Sequence, residues 1–425
     1  MKQNKAYKVR LYPTTVQKEL LNKTFGATRY IWNIVLSYRK DLYAYNKSSY
    51  SKNDSIKAIT EIKQIEGYEW LKEVEAVALQ QSLLDQYIAY KNYFRNKKKG
   101  KKTSIRFKSK HNAQSYRTNN VNGTCIRVEG NKIRIPKLKF VKFRYRKSIP
   151  DTETIKSVTI SKTLTGKYFA SILVEYEHDI KPPVKLDISK IFAADMSCKD
   201  FMVSEQMEFE NQKFYRRNQR RLAIKQRSLS KKKKGSHNSL KQKHRVTRQH
   251  ENTTNQRRGF QRNLVHLLTQ KFDGFCFEDL NIEGMKLFNS GVSKTVTSDF
   301  SWYEFLSFLE WKCKDKGKHF TKISRWFPSS KMCSECGTIK DELLLSERTF
   351  KCDCGFVLDR DINATRNIFK AGVEQFKENG VVIPTPLGVN LSNPTAEYAE
   401  SHACGVMSVG YKLSPGTISL LVVKG

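Results

Sequence analysis

KMCSECGTIKDELLLSERTFKCDCGFVLDRDINATRNI, residues 331–368, holds four cysteines in two pairs and runs straight into an acidic helix start. Cys333-x2-Cys336 is followed, after 15 residues, by Cys352-x-Cys354, and Gly337 and Gly355 each follow the second cysteine of a pair. A glycine there lets the backbone turn so that amide N–H groups face the sulfurs. Two facing turns offer four thiolates to a tetrahedral ion, which favours structural zinc. No histidine lies between His319 and His402, so the site is all cysteine and closed to catalysis. The one-residue spacing of the second pair is shorter than usual. A redox Cys-x-x-Cys and free buried cysteines are the competing readings; two matched pairs weigh against the first. A zinc module that only bound nucleic acid would gain from lysines at its exit, yet Asp359 and Asp361 stand there.

Composition narrows what that module serves. The 425 residues suffice for two to four domains. Lys plus Arg total 78 against 41 Asp plus Glu, a formal charge of +37. Charge on that scale points to a polyanion, with nucleic acid as first candidate and an anionic membrane surface as competitor. No apolar run approaches a membrane span, and MKQNKAYKVRLYP lacks the apolar core of a signal peptide. Nine cysteines, an odd number in a chain without an export signal, fit a reducing cytoplasm.

Upstream, KAYKVRLY (5–12) reads as a strand, and Thr14 with Gln17 at capping-box spacing opens a helix. Val16, Leu20, Ala27, Ile31, Ile34, Val35 and Tyr38 recur at helical intervals, and a second helix covers roughly 74–94. Both stripes read as helix–helix core. After the basic connection RNKKKGKKTSIRFKSK (95–110), period-two alternation runs from about 104 to 178, with a hairpin around Thr165-Gly166. The N-terminal strand fits that β domain, with the helices inserted. Lys181-Pro182-Pro183 is the linker.

The second half alternates strands with helices, as in an α/β core. KIFAAD (190–195), GFCFEDL (274–280) and HFTKISR (319–325) are strands, and SWYEFLSFLEWKCKDKG (301–317) is a helix. Residues 211–250 carry 15 Lys or Arg and no acid, with helical ends around an exposed SLSKKKKGSHN turn. A run this unipolar is better tolerated with phosphates against it, which favours a nucleic-acid groove over a solvated face. Residues 373–425 read as a polar, loosely ordered tail.

Three acids stand where strands end or a helix begins: Asp195 after KIFAA, Glu278 after GFCF, and Asp361 in the first turn of DRDINATRNI. Each has a bland explanation, and Asp359 suits an N-cap. Together they can converge on one edge of a mixed sheet and hold two Mg²⁺ ions. Such a pair activates water and stabilises the leaving oxygen in phosphodiester hydrolysis.

In these features the chain resembles the TnpB (OrfB-type) insertion-sequence proteins, RNA-guided nucleases related to the type V CRISPR effectors. The likeness runs from about residue 5 to 370. It is carried by AYKVRLYPTTVQKELLNKTFGATRYIWN, LQQSLLDQYIAYKNYF, RFKSKHNAQSYRTNN and TISKTLTGKYFASILVE. More specific are ADMSCKDF, FEDLNIEGMK, FPSSKMCSECG and CDCGFVLDRDINATRNI. The resemblance implies a multidomain α/β plus β architecture. A β-barrel wedge domain (1–13 and 104–183) would hold an inserted helical recognition domain (14–103). A RuvC-like, RNase H-type nuclease domain (188–327 and 355–372) would be interrupted by the zinc module (328–354). It implies Asp195, Glu278 and Asp361 as catalytic Mg²⁺ ligands, and a guide RNA and target double-stranded DNA as partners. Gln80, Gln81, Tyr116 and Asn119 fall in segments near the DNA duplex, and Arg216, Arg217, Arg220 and Arg221 are candidates for phosphate contacts. The family usually carries Gly-Ile-Asp-Leu-Gly around its first acid. Here Ala193-Ala194-Asp195-Met196-Ser197 stands instead, and the Ala194 β-carbon and Ser197 side chain are expected to crowd the place where backbone and metal come close, which leaves metal binding expected and reduced activity open. An RNA-guided repressor with a silent nuclease lacks its mark, a missing acid. A DNA-joining transposase lacks the His-x-His motif that such enzymes pair with a tyrosine.

Overall fold

The computed structural model describes residues 2–47, 51–145, 149, 153–177, 182–197, 199–285, 300–344 and 346–384. The tail expected beyond residue 384 and the linker's Lys181 lie outside them. The chain divides into two units, Met1–Asp179 and Ile180–Gly425.

The first unit is built on seven antiparallel strands. They are β1 (Lys2–Tyr12), β2 (Gln114–Asn119), β3 (Arg127–Glu129), β4 (Lys132–Ile135), β5 (Lys139–Arg144), β6 (Thr154–Lys162) and β7 (Tyr168–Glu177). Their order is β2-β6-β7-β1-β5-β4-β3, so hydrogen bonding leaves β2 and β3 at the ends. β1 lies between β7 and β5 although all three helices of the unit separate it from them in sequence. Alternation sets its inner face: Tyr7, Val9 and Leu11 are buried beside Val158, Ile160, Ile172 and Val174. The β6–β7 hairpin turns at Thr165-Gly166, where Gly166 takes φ 77°.

Helices α1 (Thr15–Asn46), α2 (Lys52–Ile62) and α3 (Ala76–Lys98) follow β1. The Thr14–Gln17 capping box forms as its spacing predicts. Gln17 Nε2 also donates to the Leu138 and Phe140 carbonyls, fixing the start of α1 to the sheet. The expected stripe on α1 is too long. Val16 and Tyr38 are 74% and 54% exposed, because the buried face runs only from Leu21 to Leu36 and takes in Phe25, Thr28 and Trp32. Ala27, Ile31 and Val35 pack on Ile59 of α2 and on Leu79 and Leu83 of α3.

The second unit holds β8 (Ile191–Ala194), β9 (Gly274–Glu278) and β10 (His319–Ile323), ordered β10-β9-β8 and all parallel. A mixed sheet was expected. The segment after β8 instead returns by one antiparallel bridge, Asp195 to Val203, without forming a named strand. Between β8 and β9 run α4 (Phe214–Ser230) and α5 (His237–Lys271); the short α6 (Ile282–Met285) and α7 (Trp302–Lys316) follow β9. A small hairpin, β11 (Thr349–Lys351) and β12 (Val357–Asp359), leads into α8 (Arg360–Glu378). That helix reaches six residues into the stretch expected to be tail, because Val373 and Phe376 are core residues among polar neighbours.

Both faces of the sheet are covered, which explains the uninterrupted apolar runs of its strands. Phe192, Ala194, Phe275 and Phe277 pack on α5 and α7 through Leu264, Leu268, Trp302 and Phe305. Ile191, Ala193, Cys276 and Ile323 pack under Ile368, Val373 and Phe376 of α8. The contact is close: a Cβ on Gly372 would stand 2.2 Å from Cys276 Sγ. Only glycine lets α8 sit at this height above β9.

The α4–α5 hairpin is joined along its basic length by amides. Gln242 Nε2 donates to the Lys225 carbonyl (3.0 Å), Gln249 Nε2 to Asn218 Oδ1 (2.9 Å), and Asn218 Nδ2 to Gln256 Oε1 (3.2 Å). Lys225 Nζ donates to Gln249 Oε1 at 2.5 Å. Buried Gln242 and Gln249 thus do what leucines do in an ordinary helical hairpin, while Arg216, Arg217, Arg220 and Arg221 stay outside.

Candidate active site and metal centre

Strand register brings the first two expected acids together. Ala194 pairs with Phe277 between parallel strands, so the next residues, Asp195 and Glu278, are neighbours at the strand ends. Alternation sets their face. Asp195 follows the parity of Ile191 and Ala193, and Glu278 that of Cys276, all on the side covered by α8. Asp361 is in the first turn of α8, where Asp359 Oδ1 accepts from the amides of Asp361 (2.9 Å) and Ile362 (3.1 Å). The Val203 carbonyl accepts from both Asp195 N (2.9 Å) and Thr365 Oγ1 (3.2 Å), linking the first acid's backbone to the third acid's helix.

The electrostatics record this convergence. Burial, then repulsion from Glu278 and Asp361, pushes the Asp195 carboxyl up to about 7. Burial raises Glu278 against the opposing hydrogen bond from Ser329 Oγ (3.4 Å). Burial and then Asp359 raise Asp361, with a smaller push from Asp200, a carboxylate the sequence did not single out. An all-oxygen set whose members resist ionising together fits a hard divalent cation.

Aligned on Asp195, Ala194 stands where the family pattern has isoleucine and so adds no bulk, while Ser197 stands at its second glycine. Ala194 is fully buried in the core with Phe192, and Ser197 Oγ accepts from the amides of Lys199 (3.2 Å) and Asp200 (3.4 Å).

The four cysteines are drawn tighter than the acids. All four Sγ atoms lie within 4.8 Å of one another, the one such group of candidate ligands among the described residues. Cys333 and Cys354 are 3.9 Å apart at sulfur, Cys336 and Cys352 3.6 Å. A tetrahedral Zn–S₄ set with bonds of about 2.3 Å has S–S edges of about 3.8 Å, so the group fits zinc. Gly337 and Gly355 take φ 77° and 87°. The short Cys352-x-Cys354 spacing suffices because the pair forms the tip of the β11–β12 hairpin, with Cys352 N donating to the Phe356 carbonyl at 2.8 Å. The Thr338 hydroxyl and amide hold the Cys336 thiol low, at about 6.

Side chains that sequence inspection passed over fasten this centre to α8. Buried Asn363 donates to the Met332 carbonyl (2.7 Å) and accepts from Ser334 N (2.9 Å). Buried Asn367 donates to the carbonyls of Ser329 (2.8 Å) and Met332 (2.6 Å). Their i, i+4 spacing on the helix that carries Asp361 was the available signal.

The nucleic-acid candidates fare unevenly. Arg216, Arg217, Arg220 and Arg221 are exposed on α4. Gln80 and Asn119 are half-buried, and Gln81 is buried. Tyr116 is a core residue, edge-on to Phe25 at 5.5 Å, and presents no ring to the surface. No described helix is long and apolar enough to cross a membrane.

Three family models match the chain. Residues 302–368 match a Cas12f1-like TNB domain, spanning the cysteine centre and Asp361. Residues 171–289 match the OrfB_IS605 "Probable transposase" family. Residues 1–48 match its helix-turn-helix domain, although the structure there is a strand and one continuous helix. Two curated relatives carry the name "Putative RNA-guided DNA endonuclease". One, from Streptomyces pristinaespiralis, is 34% identical over 87% of this chain and 89% of its own. The other, InsQ of Escherichia coli (strain K12), is 29% identical over 88% and 93%. A solved complex, Cas12f1 with sgRNA and target DNA, aligns over 87% of this chain and 99% of its own, at 14% identity and TM-score 0.46.

Proposed function

The chain belongs to the TnpB (OrfB-type) family, relatives of the type V CRISPR effectors, and from that membership we propose that it is an RNA-guided DNA endonuclease. A guide RNA reads the target by base pairing, and the protein reads a short adjacent duplex motif and backbone shape. The RuvC-like nuclease (188–327 and 355–372), interrupted by the zinc module (328–354), lies within the second unit. Met1–Asp179 holds the β-barrel wedge with its helical recognition insert. The exposed arginines of α4 track phosphates of guide or heteroduplex, in a prokaryotic cytosol.

The observation that supports this reading most is the strand register that sets Asp195 beside Glu278, on the face where α8 carries Asp361. These three carboxylates would hold two Mg²⁺. When bound, the ions supply Lewis-acid stabilisation of the leaving oxygen and lower the pKa of the attacking water. Asp359 caps α8 and orients Asp361, and Ser329 holds Glu278. The cysteine centre with zinc fixes the turn that Asn363 and Asn367 grip, keeping the third acid's helix in place.

The test is cleavage of a plasmid matched to the RNA that copurifies with the protein, in Mg²⁺. Asp195→Ala should abolish cutting and keep the RNA. Unchanged cutting in that variant would falsify the assignment, and binding without cutting by the wild type would leave the repressor.

A further inference from the structure

Trp326 is 86% exposed, the largest value among the tryptophans of the chain. Trp32 and Trp302 are buried, Trp70 meets Tyr30 edge-on, and Trp311 stacks on Phe308. The Trp326 indole has no aromatic or cationic partner among the described residues. A single exposed apolar residue is ordinary on a protein surface. This one differs in its setting.

It sits on a fixed turn rather than a loose loop. Trp326 N donates to Ser324 Oγ (3.3 Å), Phe327 N to the Ser324 carbonyl (3.0 Å), and Met332 N to the Pro328 carbonyl (2.9 Å). Asn367 of α8 clamps the Ser329 carbonyl. The residues on either side are tied to the strand end that carries the second acid. Arg325 forms an ion pair with Asp279, and Ser329 Oγ reaches Glu278 Oε2. The turn therefore holds a bare indole within a few residues of the carboxylate edge, with its backbone anchored on both sides.

We propose that Trp326 is a stacking platform for an unpaired base of the DNA strand led to that edge, and so a positioning residue for the endonuclease. A flat aromatic on a rigid support binds single strands without regard to sequence, because every base has a π-face. That suits an enzyme whose specificity comes from a guide. A phosphate caught only by cations can slide along a basic surface. A stacked base cannot, so the stack fixes which phosphodiester lies at Asp195, Glu278 and Asp361. This inference rests on the endonuclease reading.

The test uses the ribonucleoprotein with its own RNA and an Asp195→Asn background that leaves DNA uncut. The probe is a short single-stranded oligodeoxynucleotide carrying 2-aminopurine at successive positions. One position should be quenched on binding. Trp326→Ala should restore its emission and weaken the strand's binding roughly 5- to 150-fold. Trp326→Phe should recover most of both, which a structural role for an exposed side chain would not predict. With Asp195 intact, Trp326→Ala should raise KM for single-stranded DNA and blur the cut position. Equal quenching and equal affinity in wild type and Trp326→Ala overturn the stack while Asp195-dependent cutting keeps the endonuclease. Trp326-dependent quenching with no cutting by any form keeps the stack and removes the endonuclease.

Discussion

The cysteine centre and the carboxylate edge are adjoining regions assembled in opposite ways. The cysteines come from two short turns, their four sulfurs lie within 4.8 Å of one another, and two of the separations already match the edges of a zinc tetrahedron. The acids come from two strand ends and a helix spread over 167 positions, and each is raised by burial and by its neighbours. One set is drawn together by local turns. The other is held against its own repulsion by the packing of α8 on the sheet. A site of the first kind is specified by spacing, and a site of the second kind by everything that fixes the helix.

The contrast is open to direct attack, and the largest effect is expected at the acids. Glu278→Gln and Asp361→Asn should each lower cleavage on the order of a thousandfold, with copurifying RNA unchanged. Loss at one and not the other, in a plasmid assay, would break the three-acid edge apart.

Next is the cysteine centre. Cys336→Ser, or stripping metal with a chelator, should release zinc and lower cleavage on the order of 10- to 100-fold through the Asn363 and Asn367 clamp. Zinc content and cutting rate measured together check this. Full activity in zinc-free protein would uncouple the two regions.

Glu75 provides a lone-carboxylate control. It is buried, its side chain accepts from Thr118 Oγ1, and burial raises it to about 7. Its folded value is above its unfolded one, so the folded state binds the extra proton. Stability should be fullest below the unfolded value and fall as pH rises towards about 7, by up to about 3 kcal/mol. Glu75→Gln should flatten the slope in urea unfolding at several pH values, and Mg²⁺ should leave it alone. A slope that survives in that variant would assign it elsewhere.

The smallest effect is at the packing itself. Gly372→Ala should cost about 1–3 kcal/mol, because its Cβ meets Cys276 Sγ and α8 must lift. Cys276→Ala should relieve this only in part, since the Cys276 Cβ would itself be 2.6 Å away. Thermal unfolding of the single and double variants reads the coupling. Full additivity would mean that α8 does not bear on β9 there.

The parts that were legible in sequence are those fixed by neighbours along the chain. KIFAA and GFCFE read as strands because both faces are buried, and Thr14 with Gln17 as a cap because a box needs only three residues' separation. Alternation within those strands even carries the shared face of Asp195 and Glu278. The expected mixed sheet did not form, because after Asp195 one bridge replaces the strand such a sheet would need. Asn363 and Asn367 went unnoticed for a similar reason. Polar side chains on a helix look solvent-facing until their partners, carbonyls 31 and 38 residues upstream, are brought against them. Val373 and Phe376 were hidden in polar company, and the burial of Tyr116 depends on Phe25, a contact across the chain that no local pattern shows.

The amide joint of α4 and α5 bears on how such an arm can change. Much of its pairing is made rung by rung, each rung meeting its own hydrogen-bonding needs, instead of by an interlocking apolar seam. Turns can therefore be added or removed at the tip with few side chains to refit, and the length of the arm becomes a matter of counting rungs.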